Sequence, residues 1–287
     1  MRALTTEEAY AKLNLSLDVT GLLPGGFHSM RMVMQSVSLC DTVTVSVEKG
    51  SGVIQAGSDV RFLPRGEKNL AGKAALAFRE KTELRDLDIS VHIKKRIPVC
   101  AGMGGGSSDA AAVLRALNRI CGTGLSVPEL CRIGEGVGSD VPYCVLGGTA
   151  LAEGRGEILT PLSPFPRCFV VICKPGFQVS TPELFRCIDD IRLKVRPDTE
   201  GLLHAIREGK LREAASRFYN VFEEVLPKGG DTVRGIREKL YDFGTLGAVM
   251  SGTGPTVFGV FSDRDSAENA YTSLRKEYRE CYLAETV

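Results

Sequence analysis

The 287-residue chain has almost no net charge, since 36 Lys and Arg stand against 35 Asp and Glu to leave a formal +1. A global field that would draw it onto nucleic acid or an anionic membrane is therefore lacking, and any anion must be bound locally. Its nine cysteines, at positions 40, 100, 121, 131, 144, 168, 173, 187 and 281, form no C-x-x-C pair and are odd in number. With no His/Cys cluster at zinc spacing either, they read as small buried hydrophobes in a reducing cytosol rather than as a disulfide framework or a structural metal site. No apolar run reaches the roughly 20 residues that cross a bilayer. Glu7 and Glu8 also stand where a secretion signal would carry only positive charge. The expectation is a cytoplasmic protein that engages neither nucleic acid nor membrane. Internal repeats and low-complexity tracts are absent as well.

What is present is an ordinary globular composition, 43% hydrophobic and 25% charged. The length suits two domains of roughly 100–150 residues each. Lys12 to Val19 alternates strictly, with Leu13, Leu15, Leu17 and Val19 on one face and Lys12, Asn14, Ser16 and Asp18 on the other, which predicts a half-buried strand. Asp41–Val47 and Ile89–Ile93 alternate in the same way, Gly50–Pro64 reads as irregular or hairpin-like, and residues 67–83 have helical spacing. Ser126 and Glu129 have capping-box spacing ahead of another helix, and Gly138–Pro142 reads as a loop. A strand near 148–152 precedes Pro161, Pro164 and Pro166, where the domain boundary is placed, giving domains 1–163 and 164–287. The second half reads as a strand at 168–173, helices near 182–190, 198–224 and 229–243, strands at 247–250 and 256–261, a helix at 264–278 and a strand at 280–285. That pattern predicts an α+β sandwich with helices on one side of the sheet.

The densest signal is IPVCAGMGGGSSDAAAVLRALNRIC at 97–121, where Gly102, Gly104, Gly105 and Gly106 empty into a helix through Ser107, Ser108 and Asp109. Glycines let backbone N–H groups approach an anion, and a helix N-terminus adds roughly half a positive charge, so the segment can cradle phosphate. A single glycine pair would read as a tight helix entry; this density favours the cradle. A Walker A loop needs Lys after its last glycine, and here Ser107 follows Gly106. A dinucleotide fingerprint needs G-x-G-x-x-G after an apolar strand, whereas Gly102, Gly104 and Gly106 give G-x-G-x-G behind Pro98. A nicotinamide-dependent oxidoreductase is thus the weaker alternative.

These residues carry a resemblance. IPVCAGMGGGSSDAAAVLRALN is similar to the central ATP motif of the galactokinase, homoserine kinase, mevalonate kinase and phosphomevalonate kinase (GHMP) superfamily. AYAKLNLSLDVTGLLPGGFH resembles the N-terminal motif of a branch that phosphorylates a cytidine diphosphate-linked methylerythritol. GSDVP and LGAVMSGTGPTVFGVF resemble that branch's acidic and C-terminal glycine motifs. The resemblance covers nearly the whole chain in order. It implies an α+β fold of two domains, the N-terminal one like ribosomal protein S5 domain 2 and the C-terminal one ferredoxin-like, with ATP and Mg²⁺ as cofactors and a small-molecule acceptor carrying cytidine diphosphate. The assembly is expected to be a monomer or homodimer. Another GHMP kinase, of homoserine or mevalonate type, and a silent nucleotide-binding module remain as alternatives.

By the same resemblance, Pro98, Ala101, Gly102, Met103, Gly104, Gly105, Gly106, Ser107, Ser108 and Asp109 bind ATP, with Asn69 and Lys95 toward the adenosine end and Ser108 as the candidate Mg²⁺ ligand. Asp140 is the expected catalytic residue, because transfer to an alcohol needs a carboxylate that orients the hydroxyl and accepts its proton. An Asp before Val141-Pro142 would otherwise simply close a turn. Lys12, elsewhere an ordinary strand lysine, is the family's catalytic lysine, and Asn14 on its face is expected to meet the acceptor. His28 is implied to read cytosine with Phe27 and Phe185 as stacking faces. Ser251, Gly252, Thr253 and Gly254, by pattern a tight hairpin, are implied to lie near the substrate phosphates. Two departures stand out. Phe27 replaces the family's Tyr and follows an extra glycine, Gly25, and Val221 replaces a frequent Asp.

Overall fold

The computed structural model describes residues 3–287. Contacts divide the chain into two compact units that interleave along the sequence rather than meeting at the single boundary expected after residue 163. The first comprises the segment through Ala11, Cys40–Ile97 and Gly104–Gly147, and the second Lys12–Leu39, Pro98–Met103 and Gly148–Val287. The interleaving follows from two long strands, β1 (Ala3–Leu22) and β2 (His28–Lys49), each of which contributes one end to each unit.

In the first unit the C-terminal half of β2 pairs antiparallel with β4 (Leu87–Lys94), and β3 (Ile54–Ser58) pairs parallel with β4. Strict alternation buries Ile89, Val91 and Ile93 on one face and leaves Ser90, His92 and Lys94 exposed on the other. The apolar face meets α1 (Leu70–Thr82), which packs against α2 (Gly105–Cys121). The helix α2 is buried on every side over Ser108–Leu114 and again at Ala116 and Leu117, more than the single apolar face its periodicity predicts. Next come α3 (Val127–Glu135) and α4 (Val141–Leu146); the capping box of Ser126 and Glu129 is formed.

In the second unit the N-terminal half of β2 pairs with β5 (Thr149–Gly154), which pairs with β6 (Ile158–Pro161). The next elements are β7 (Phe169–Lys174), α5 (Thr181–Asp189), α6 (Thr199–Arg207), α7 (Leu211–Ala215), β8 (Tyr219–Asn220), a 3₁₀ turn at Val221–Val225 and α8 (Gly230–Asp242). The chain closes with β9 (Gly247–Met250), β10 (Val257–Phe261), α9 (Arg264–Arg275) and β11 (Glu280–Glu285). A second sheet has the order β11-β7-β10-β9, antiparallel throughout, with α8 and α9 packed on it. Strand order and crossover helices make this part ferredoxin-like.

Four expectations are corrected. Lys12, Asn14 and Ser16 are buried like their apolar neighbours, so β1 is covered on both faces rather than half-buried. Gly50–Pro64 contains a parallel edge strand, not a hairpin, because β3 pairs with β4 across the intervening α1. Residues 198–224 do not stay helical: Gly209 takes a left-handed φ of 66°, and the chain then passes through α7 into β8 and the 3₁₀ turn. Gly138–Pro142 is loop only as far as Asp140, since Pro142 falls in the first turn of α4, where a missing N–H costs nothing.

Gly72, inside α1, lies where a Cβ would stand 2.1 Å from the Gly66 carbonyl oxygen. Alanine in a helix interior normally stabilises by about 0.5–1 kcal/mol over glycine, while a forced backbone shift costs about 1–3 kcal/mol, so the clash should win. Gly72→Ala is expected to lower Tm, and Gly235→Ala, at an open position of α8, to raise it. Thermal melts of the two variants check this, and a rise in both would show that the Gly66 turn yields freely.

Candidate active site

The glycine-rich loop is fixed from below by buried charge. Asp41 is fully buried on β2, and its Oδ1 accepts the backbone N–H groups of Arg96 at 2.5 Å and Ile97 at 2.8 Å. Its Oδ2 pairs with the Lys95 ammonium, which also donates to Asp109 Oδ2 at 2.7 Å. One cation therefore serves two buried carboxylates, and the other oxygen of Asp109, Oδ1, is buried without a hydrogen-bond partner. Burial pushes the Asp109 carboxyl up to about 7, Lys95 opposes the shift and Asp41 adds to it. Burial disfavours the Lys95 ammonium, but the two carboxylates outweigh it and raise its pKa.

Above this cluster Gly104 takes a left-handed φ of 67° as N-cap of α2 and has no side chain to cap it. The Ser108 N–H makes a helical bond to the Gly104 carbonyl, so the preceding N–H groups of Gly105, Gly106 and Ser107 form the helix's uncapped first turn. A Cβ on Gly105 would approach Lys95 Nζ to 3.3 Å, which places the ammonium directly under that turn. Donors of this kind, on a helix N-terminus, suit a phosphate. The Ser108 hydroxyl donates to the Tyr10 carbonyl at 2.5 Å, while Ser107 and Gly106 are more open. Asn69 is the N-cap of α1: Oδ1 accepts from the Ala71 N–H, and Nδ2 donates to the Pro64 carbonyl. Asp140 is the half-buried N-cap residue of α4, and its carbonyl accepts the Cys144 N–H at 3.1 Å.

In the second unit the structure brings three motifs together around one hydroxyl. Ser251 Oγ accepts the Asn14 N–H at 3.2 Å and donates to the Gly102 carbonyl at 3.0 Å. Gly102 has φ 71°, and a Cβ there would fall 2.1 Å from the Ser251 carbonyl oxygen, so only glycine fits. Lys12 donates its backbone N–H to Met103 and its ammonium to Asn14 Oδ1 at 2.7 Å. Pro98, Ala101 and Met103 are buried beneath the loop, and Thr253 Oγ1 lies 3.0 Å from Thr181 Oγ1. Gly252 and Gly254 take left-handed φ values in the turn that follows Ser251.

His28 and Phe185 are also brought together, their rings stacked with centroids 4.4 Å apart, and Phe185 meets Phe222 edge-on at 5.1 Å. His28 Nε2 is 2.8 Å from Asp189 Oδ1. Phe27 stands apart, exposed, under the Arg155 guanidinium. Sequence reasoning passed over Asp41, although alternation sets it on the same face as Val43, Val45 and Val47, the face that is buried. Among the described residues no group of three His, Cys, Asp or Glu side chains could hold a metal ion, and no helix is long and apolar enough to cross a membrane.

Because Asp109 holds a proton in the folded state up to about pH 7 that the unfolded chain releases near pH 4, its contribution to stability falls as pH rises across that window and is constant above it. Asp109→Asn removes this dependence. Between pH 5 and 8 the variant should gain on the parent by on the order of 2 kcal/mol. Denaturant midpoints at the two pH values measure it, and parallel pH dependences would refute a buried, proton-holding Asp109.

Comparison with known proteins gives a consistent result. The model of the GHMP kinases N terminal domain matches residues 69–148, and that of the GHMP kinases C terminal domain matches residues 201–280. The chain is 41% identical over 98% of its length to 4-diphosphocytidyl-2-C-methyl-D-erythritol kinase of Clostridium tetani, covering 99% of that protein. It is 40% identical to the enzyme of the same name from Alkaliphilus metalliredigens, over 96% of this chain and 94% of that one. A crystal structure of 4-(cytidine 5'-diphospho)-2C-methyl-D-erythritol kinase superposes with a TM-score of 0.82 at 30% identity, covering 98% of this chain and 99% of that one. The mevalonate kinase of L. major shares the fold, with a TM-score of 0.75 at 16% identity over 99% and 96% of the two chains. GHMP kinases use ATP. The chain belongs to the GHMP kinase family, among its 4-diphosphocytidyl-2-C-methyl-D-erythritol kinases.

Proposed function

We propose that this protein transfers the γ-phosphoryl group of ATP to the 2-hydroxyl of 4-diphosphocytidyl-2-C-methyl-D-erythritol. The observation that carries the reading is the Ser251 hydroxyl, which joins the Lys12–Asn14 strand, Gly102 of the glycine-rich loop and the C-terminal glycine turn into one constellation. Its relatives' shared name supplies the acceptor.

The acceptor oxygen attacks the γ-phosphorus, the bond from that phosphorus to the β,γ-bridging oxygen breaks, and ADP leaves. The hydroxyl proton passes to the Asp140 carboxylate. Lys12 supplies positive charge toward the transferring group, held in place by Asn14 Oδ1. The N–H groups of Gly105, Gly106 and Ser107 bind the nucleotide phosphates, over a loop whose base is tied to Asp41. Ser108 suits a hard cation: its proton is committed to the Tyr10 carbonyl, which leaves the lone pairs of the oxygen as the kind of donor Mg²⁺ would accept. Mg²⁺ bound with ATP neutralises phosphate charge, and ATP and water provide most of its ligands.

The cytosine is read at His28. With Nε2 hydrogen-bonded to Asp189, Nδ1 is free to face the base, and Phe185 offers an aromatic face. Phe27, being exposed, can close on the opposite side with its ring alone, having no phenol hydroxyl.

ADP release measured with 4-diphosphocytidyl-2-C-methyl-D-erythritol, homoserine and mevalonate tests the reading. Turnover is expected with the cytidine-bearing acceptor alone, and turnover of homoserine or mevalonate in its place would transfer the chain to another GHMP activity. Asp140→Asn should lower kcat on the order of 10²–10⁴-fold with nucleotide binding retained. A value within about threefold of the parent would remove Asp140 from proton transfer. His28→Ala should raise the acceptor KM about 5- to 150-fold, the equivalent of roughly 1–3 kcal/mol, and leave the KM for ATP unchanged. Equal inhibition of parent and variant by CMP would locate the base elsewhere.

A further inference from the structure

Asn220 is buried at the end of β8, where its backbone is in parallel register with Leu17 of β1. Its side chain spends its hydrogen-bonding capacity on backbone groups. Nδ2 donates to the Met250 carbonyl at 2.7 Å and to the Gly252 carbonyl at 2.8 Å, and Oδ1 accepts the Phe222 N–H at 3.0 Å. Glu223 adds a further tie through Oε1, which accepts the Met250 N–H at 2.7 Å, while Oε2 takes the Arg237 guanidinium at 2.5 Å. Both residues flanking Ser251 are thus held from the 220–223 segment.

A turn-capping asparagine would need only the Oδ1 bond to Phe222. The two Nδ2 bonds instead reach 30 and 32 residues along the chain. What they fix is Ser251, whose hydroxyl meets the Asn14 N–H and the Gly102 carbonyl. Because β8 pairs with β1, the amide of Asn220 anchors the Ser251 turn to the same strand that carries Lys12 and Asn14. Only an amide does this, since an aspartate would turn an oxygen toward two carbonyl oxygens and lose both bonds.

We infer that Asn220 is a positioning residue for phosphoryl transfer, setting the register of the Ser251–Gly254 turn against Asn14 and Gly102. The inference rests on the proposed function for its consequence and on the hydrogen bonds for its geometry, so each is measured. Amide hydrogen exchange reads the geometry. In Asn220→Asp the N–H groups of Asn14 and Gly254, bonded to Ser251 Oγ and Ser251 O, should exchange at least about tenfold faster than in the parent, with β7 and β10 unchanged. Kinetics read the consequence. Well below the variant's Tm, kcat should fall at least about tenfold while affinity for a fluorescent ATP analogue stays within about threefold. Asn220→Ser, which removes the amide without adding charge, gives the same comparison if the aspartate variant does not fold.

Unchanged exchange at Asn14 and Gly254 would overturn the inference whatever the activity. Faster exchange with kcat within about threefold of the parent would also overturn it, leaving Asn220 a structural amide. A parent that turns over no cytidine-bearing acceptor would overturn the proposed function, and the exchange rates alone would then decide whether Asn220 sets the turn.

Discussion

The hydroxyl of Ser251 is the contact on which the arrangement depends. It accepts a hydrogen bond from the Asn14 N–H and donates one to the Gly102 carbonyl, so segments far apart in sequence meet within two hydrogen bonds. That approach explains two features that look costly in isolation. Gly102 must lack a Cβ, because one would lie 2.1 Å from the Ser251 carbonyl oxygen. The polar face of β1 must be buried, because Lys12 and Asn14 serve the contact region rather than solvent. The buried Asn14 side chain is hydrogen-bonded at both ends, its Oδ1 accepting from the Lys12 ammonium and its Nδ2 donating to the Met32 sulfur.

The first unit solves a different problem, how to hold a glycine-rich helix entry still without blocking its N–H groups. Side chains that capped the first turn of α2 would occupy the donors that phosphate needs. The chain instead anchors the residues just before the loop. Asp41 binds the amides of Arg96 and Ile97, and Lys95 links Asp41 to Asp109 on α2 itself. Burial in a dry interior pushes the Asp109 carboxyl up to about 7, and the Asp41 carboxylate that shares its ammonium adds to the shift. The stability lost there leaves the phosphate-facing side of the loop free.

Much of the fold could be read from periodicity. The strand of Ile89 to Ile93 and the entry into α3 followed from alternation and capping chemistry, because these elements are set by local preference and one buried face. Strand β3 escaped, since it is short, glycine-containing and paired with a strand that follows a whole helix later. The polar residues of β1 were misjudged for a related reason: alternation shows which residues share a face, but not whether a distant loop covers it. At the site, the glycine-rich loop and the Ser251 turn were recognisable as motifs. Asp41 was not: it shares the face of Val43, Val45 and Val47, but the groups that satisfy a carboxylate there, the amides of Arg96 and Ile97 and the Lys95 ammonium, come from more than 50 residues away.

The central claim is transfer of a phosphoryl group to one hydroxyl of a cytidine diphosphate-linked polyol, and the ³¹P spectrum of the product tests it most directly. Carbon 2 of the acceptor bears a methyl group and no hydrogen. Transfer to its hydroxyl therefore predicts a new phosphomonoester resonance without splitting by a carbinol proton, alongside ADP and an intact diphosphate. A monoester split into a doublet or a triplet would mean phosphorylation at carbon 3 or carbon 1. Either of these, or release of inorganic phosphate alone, would contradict the account.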